Sequence, residues 1–249
     1  GDLTVEVDGR DMFLSCRGSG RPTVILEHGL GSDGRDLSLV RTQVSPNNHV
    51  CYRSRAGMGS SEPPPGEQTA QDAADDLTEL LVTAGIPGPY VLVGHSFGGL
   101  VVRLFAKDHP DDVIGGVLVD SAHEEMLDEM RARSSPETWA EIRPFLDLPN
   151  PEDMDLVASD QQLAAAGDLG STPLIVLEAG QQIPVPAIDI SRSAADELNA
   201  FLPELRSTLQ RDLAQLSSNG SHVLVADAGH SIHLSDPSVV VDAIASVLE

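Results

Sequence analysis

Basic residues are scarce in this chain. Only 15 Lys and Arg stand against 39 Asp and Glu, for a formal net charge of −24. Lys107 is the one lysine. Gripping a phosphate backbone needs clustered cations, so nucleic acid is not an expected partner. An anionic membrane surface is disfavoured for the same reason, and the acidic excess reads mainly as a solvated surface. Long apolar runs are missing as well: none approaches the ~20 residues needed to cross a bilayer. The first residues, Gly1-Asp2-Leu3-Thr4, carry no basic and apolar leader, which makes a cytoplasmic protein the expectation. Cysteine occurs twice, at Cys16 and Cys51, in strand-like stretches. Two cysteines in a chain of 249 residues do not make a disulfide framework. Neither has metal-ligand spacing, so both are expected as free buried thiols. No internal repeat or low-complexity tract stands out.

What is present is enough apolar material, 41% of residues, for one sizeable core. Residues 3–16 read as an antiparallel pair turning at Asp8-Gly9. Buried strands follow at 23–27, 49–52, 90–95, 113–120, 172–178 and 221–226. Helical spacing of alanine and leucine marks 68–84, and helices are also expected at 100–107, 192–216 (interrupted at Pro203) and 238–248. This alternation predicts an α/β fold: a mostly parallel, doubly wound central sheet with helices on both faces. Residues 123–171 break it with an acidic, helix-compatible stretch punctuated by prolines 136, 144, 149 and 151. They are expected as a small helical cap inserted over the carboxyl ends of the strands, where open sheets place their sites. The division is then 1–122 with 172–249 as core, and 123–171 as cap.

The sharpest signal is Gly94-His95-Ser96-Phe97-Gly98-Gly99. A β-rich run, Tyr90-Val-Leu-Val93, stops there, and a helix-compatible run begins at Leu100. A serine on so tight a turn presents its hydroxyl above the sheet, and its neighbours must be small. The following helix aims N–H groups and its positive dipole end at the same place. That context favours a nucleophile over a serine in an ordinary glycine turn.

Such a serine needs a base, a group to orient the base, and donors for an oxyanion. His230, in the loop after the last strand, is the expected base, with His233 as rival; the two make a poor metal pair, lacking a nearby third ligand. Asp120, at the tip of the 113–120 strand, is the expected orienting acid, with Glu178 as alternative; the turn after Glu178 offers only the amides Gln181 and Gln182. The competing reading of Asp120 is a turn or helix cap. The expected oxyanion donors are the backbone N–H groups of Phe97 and of Leu30, in His28-Gly29-Leu30-Gly31.

These landmarks, together with Arg55-Ala-Gly-Met-Gly59 and Val117-Leu-Val-Asp120-Ser-Ala-His123, resemble the α/β-hydrolase family over nearly the whole chain outside the cap. The resemblance implies a Ser96–His230–Asp120 triad, no cofactor or metal, and hydrolysis through an acyl-enzyme. Two positions depart from the family pattern. Ser54 stands where many relatives have an aspartate, and many place the triad acid after the strand that here ends at Glu178. A carboxylate nucleophile, which epoxide hydrolases and dehalogenases of this fold require, is absent at Ser96. Apolar cap residues (Met126, Leu127, Met130, Trp139, Phe145, Leu146, Leu148, Met154, Leu156) point to an uncharged, fairly hydrophobic small-molecule ester or lactone. The alternatives are a thioesterase, a C–C bond hydrolase or lyase on the same triad, and a non-catalytic ligand-binding protein of the same fold.

Overall fold

The computed structural model describes residues 1–146, 148–181 and 190–249. Its sheet has eight strands: β1 (Asp2–Val7), β2 (Arg10–Arg17), β3 (Thr23–Glu27), β4 (His49–Arg53), β5 (Tyr90–His95), β6 (Val113–Val119), β7 (Leu174–Ala179) and β8 (Gly220–Val225). The spatial order is β1-β2-β4-β3-β5-β6-β7-β8. β1 and β2 run antiparallel, β2 runs antiparallel to β4, and every pairing beyond is parallel. Every residue of β3 and β5 is buried, as strands covered on both faces require. The β1–β2 turn is Asp8-Gly9, both with positive φ (47° and 73°), as two-residue hairpins demand.

The helices are α1 (Ser38–Val44), α2 (Ala70–Thr83), α3 (Gly98–Asp108), α4 (Met126–Arg133), α5 (Pro136–Leu146), α6 (Leu156–Ala164), α7 (Arg192–Gln215), α8 (Ile232–Ser235) and α9 (Pro237–Ser246). A capping box fixes the start of α2: the Thr69 side chain accepts from the Asp72 N–H, while Asp72 accepts from the Thr69 N–H at 2.8 Å. Two apolar clusters, one on each face of the sheet, hold the layers together. Between β6 and β7 the chain leaves the sheet for α4, α5 and α6. Helices α4 and α5 pack on α7, and α6 packs on α2 and α3. Pro203 does not interrupt α7, contrary to expectation. The buried row Leu198, Leu205, Leu209 and Leu213 runs through it, and that packing outweighs the ~3 kcal/mol an interior proline costs.

The cysteines also depart from expectation. Cys16 and Cys51 form a disulfide, not free thiols. The reason is register: β2 and β4 pair antiparallel with Cys16 opposite Cys51, their Cα atoms 4.1 Å apart. Iodoacetamide in denaturant is expected to modify neither cysteine before reduction and both after it; two modified thiols without reductant would contradict the bond. Among the described residues, no helix is long and apolar enough to cross a membrane.

Candidate active site

Parallel register brings the carboxyl ends of the central strands to one edge. Glu27 lies beside Gly94, His95 beside Val119, and Ala179 beside Val225. Four loops leave that edge, carrying Leu30, Ser96, Asp120 and His230. Ser96 sits between β5 and α3 with φ 51°, in the left-handed region. A non-glycine residue held there marks a strained turn of the kind found at functional sites. The close approach explains the flanking glycines. A Cβ on Gly94 would lie 2.7 Å from the Gly98 oxygen, and one on Gly98 would lie 2.5 Å from the Glu27 oxygen.

Asp120 also has a positive φ, 41°. Its backbone N–H donates to the Leu177 oxygen at 2.7 Å, and its Oδ1 accepts from the Ala179 N–H at 3.0 Å. Its Oδ2 lies 2.6 Å from His230 Nδ1. A carboxylate can only accept, so Nδ1 carries a proton; in the neutral imidazole Nε2 is then the nitrogen with the free lone pair. Ser96, Asp120 and His230 line one hollow of about 110 Å³ with Ser121, Ala122, Met126, Arg206 and Gln210.

Glu178 is committed elsewhere. Its Oε2 lies 2.6 Å from His222 Nε2 and accepts from Ser207 Oγ at 3.2 Å. Gln181 donates its backbone N–H to the Ala228 oxygen at 2.9 Å, and Gln182 lies outside the described residues. His233 is fully buried, its Nε2 3.5 Å from Asp36 Oδ2. His95 rests between the rival histidines, its ring centroid 4.7 Å from that of His230 and 4.3 Å from that of His233. His95 Nε2 donates to the His230 carbonyl at 3.1 Å and so ties down the loop that bears the base candidate. Burial, then the neighbouring His233 and His230, push the His95 imidazole down to about 3, so it is neutral. Asp36, His95 and His233 offer ligand atoms within 4.8 Å of one another, the one metal-competent grouping among the described residues that a disulfide does not occupy.

Among the described residues, neither the Leu30 nor the Phe97 N–H is spent on a hydrogen bond. The loop carrying Leu30 is held by a buried network that sequence reasoning missed. Arg55 Nη1 donates to Glu27 Oε1 at 2.8 Å and to the His28 oxygen at 2.7 Å, and Nη2 donates to the Gly29 oxygen at 3.0 Å. Glu152, from the stretch between β6 and β7, takes Arg55 Nε at 2.6 Å and the Gly31 N–H at 2.7 Å. That stretch therefore crosses the carboxyl edge and grips the Leu30 loop on both sides. Arg53 completes the group against Glu27 at 3.1 Å. Burial alone would push the Glu27 carboxyl up; the charges of Arg53 and Arg55 reverse this and hold it at about 2. His28 is driven down to about 4 by burial and by Arg55, which leaves it a neutral structural group. Ser54 fills the family's aspartate position by donating Oγ to the Asp33 oxygen at 2.7 Å.

Removing one partner from so buried a pair strands the other's charge. Glu152→Ala is therefore expected to cost about 3–5 kcal/mol. A melting point lowered by roughly 6–20 °C would register it, and an unchanged one would count against the network.

A second, larger hollow of about 580 Å³ lies among α4, α5, the start of α6 and the stretch between them, lined by Leu127, Trp139, Leu148, Met154, Arg131 and Asp153 among others. It contains neither Ser96 nor His230. The two linings share no residue; α4 contributes Met126 to the smaller hollow and Leu127 to the larger.

A parallel sheet with a strained serine turn and a paired aspartate and histidine at its carboxyl edge is the plan of an α/β hydrolase. The chain belongs to the alpha/beta hydrolase family, whose model matches residues 24–243. It is 37% identical over 139 residues to a probable transporter, efuK, of Hormonema carpetanum; that match covers 54% of this chain and 19% of the transporter's length. Among solved structures it is similar to Est816, an N-acyl homoserine lactone degrading enzyme (TM-score 0.68, 18% identity, 98% of this chain and 99% of that one). It is also similar to a thermophilic esterase from Thermogutta terrifontis (TM-score 0.65, 24% identity, 100% and 97%). At those identities the two structures speak to the fold.

Proposed function

We propose that this protein hydrolyses a carboxylic ester or lactone through an acyl-enzyme on Ser96. The observation that carries the reading is the 2.6 Å contact between His230 Nδ1 and Asp120 Oδ2, made in the hollow that Ser96 also lines. His230 Nε2 takes the proton from Ser96 Oγ as the alkoxide attacks the carbonyl carbon. The N–H groups of Leu30 and Phe97 hold the oxyanion, in a site where fixed donors act strongly because water is displaced. His230 then protonates the departing alkoxide, and water repeats the sequence to release the acid. Asp120 keeps the imidazole in the working tautomer and stabilises its cation. His95, by donating to the His230 carbonyl, positions the base.

Residues 123–171 act as a cap in this reading. The hydrophobic half of the substrate lies against Met126 and the apolar part of the larger hollow. No cofactor or metal enters the proposed steps. The Cys16–Cys51 disulfide weighs against the cytoplasmic expectation, because cytosolic thiols are kept reduced, and favours an oxidising compartment. A panel of p-nitrophenyl esters, lactones and acyl thioesters tests the substrate class. The fastest turnover is expected among esters or lactones; a consistent preference for thioesters would replace this reading.

A further inference from the structure

The hollow beside Ser96 holds a cation that the mechanism does not use. Arg206 is half-buried on α7 and lines that hollow together with Ser96, Asp120 and His230. Among the described residues it makes no hydrogen bond and no ion pair within 4 Å. Burial lowers its affinity for its proton, and Asp120 pulls the other way. Asp120 acts on it through its charge but lies beyond ion-pair distance; its oxygens are turned to His230 and to the Ala179 N–H. One turn further along α7, Gln210 faces the same hollow. Its Nε2 donates to the Ser121 oxygen at 2.7 Å, which fixes that face of the helix, while its buried Oε1 has no partner among the described residues. The chain has only 15 basic residues to set against 39 acidic ones. The buried Arg53, Arg55 and Arg103 are taken up by carboxylates, and the half-buried Arg41 by Ser15 and the Tyr52 ring. A guanidinium fork left unpaired beside a candidate nucleophile is a ready receptor for a planar carboxylate.

We propose that Arg206 is a specificity-determining residue that binds a free carboxylate on the substrate, so that the preferred substrate is an ester or lactone bearing one anionic group near its scissile bond. This rests on the hydrolase reading above and narrows it: the hydrophobic part of the substrate faces the cap, and its charged end faces α7. The 110 Å³ of the hollow suits a compact acidic group, about the space of four waters.

The test pairs two probes of similar length, mono-p-nitrophenyl glutarate and p-nitrophenyl butyrate. Arg206→Met is expected to reduce the ratio of their kcat/KM values, charged over neutral, by about 10–100-fold, mostly through KM. Arg206→Lys should restore part of the ratio. Separately, the Ser96→Ala protein is titrated calorimetrically with monomethyl glutarate and with dimethyl glutarate. Adding Arg206→Met should weaken the first by a similar factor and leave the second nearly as it was. An unchanged ratio, or equal losses on both probes, would overturn the subsite and assign Arg206 to the support of Asp120. Discriminating binding without turnover of any ester would keep the subsite and overturn the hydrolase reading.

Discussion

Ser96→Ala is expected to lower kcat on the best ester by about 10⁴–10⁶-fold. The magnitude follows from what the substitution removes. Without Oγ there is no acyl-enzyme, and His230 with Asp120 has no nucleophile to activate. The residual rate would come from binding and from the oxyanion donors at Leu30 and Phe97. The folded protein should barely register the change. Ser96 occupies φ 51°, which alanine tolerates about as well as serine, and its side chain is half-buried and forms none of the core. A melting point within about 2 °C of the unchanged protein is expected. Steady-state kinetics on purified variants checks it. Full activity in Ser96→Ala would remove the serine from the mechanism.

Asp120→Asn is the second large effect, about 10⁴-fold in kcat. An asparagine can still reach His230 Nδ1, but its amide can donate as well as accept. Where it donates, Nδ1 must be the unprotonated nitrogen, and Nε2, now carrying the proton, cannot act as base. The parallel variant Glu178→Gln is expected to lower kcat by less than about tenfold. Glu178 faces His222 and Ser207 and makes no contact with His230. The two variants together decide which strand supplies the acid. The reverse order of effects would move it from β6 to β7.

The parts of this site that were legible from sequence are those fixed by local backbone geometry. Gly94, Ser96 and Gly98 announce a strand-to-helix turn because only small residues fit where β5, α3 and the β3 edge converge. Asp120 and His230 could be chosen because each follows a strand, and parallel strands end on one edge. The parts that were not legible depend on contacts between distant segments. Cys16 and Cys51 are 35 residues apart and meet only through the β2–β4 register. Arg55 and Glu152 are 97 residues apart, and nothing near either names the other. Arg206 sits in a helix whose pattern gives an ordinary solvent-facing arginine; the hollow it lines is made by loops that follow β5, β6 and β8. Helix α1 was missed because its short apolar spacing, Val40 and Val44, gives too little periodicity to read.

The measurement that bears most directly on the central claim is covalent labelling of the intact protein by a fluorophosphonate probe, read by mass spectrometry. One adduct is expected, mapped to Ser96, absent in Ser96→Ala and formed at least about 100-fold more slowly in His230→Ala, because the histidine must take the serine's proton as the phosphorus is attacked. A folded protein that takes up no probe, or takes it up equally fast without His230, would contradict the claim that Ser96 is an activated nucleophile.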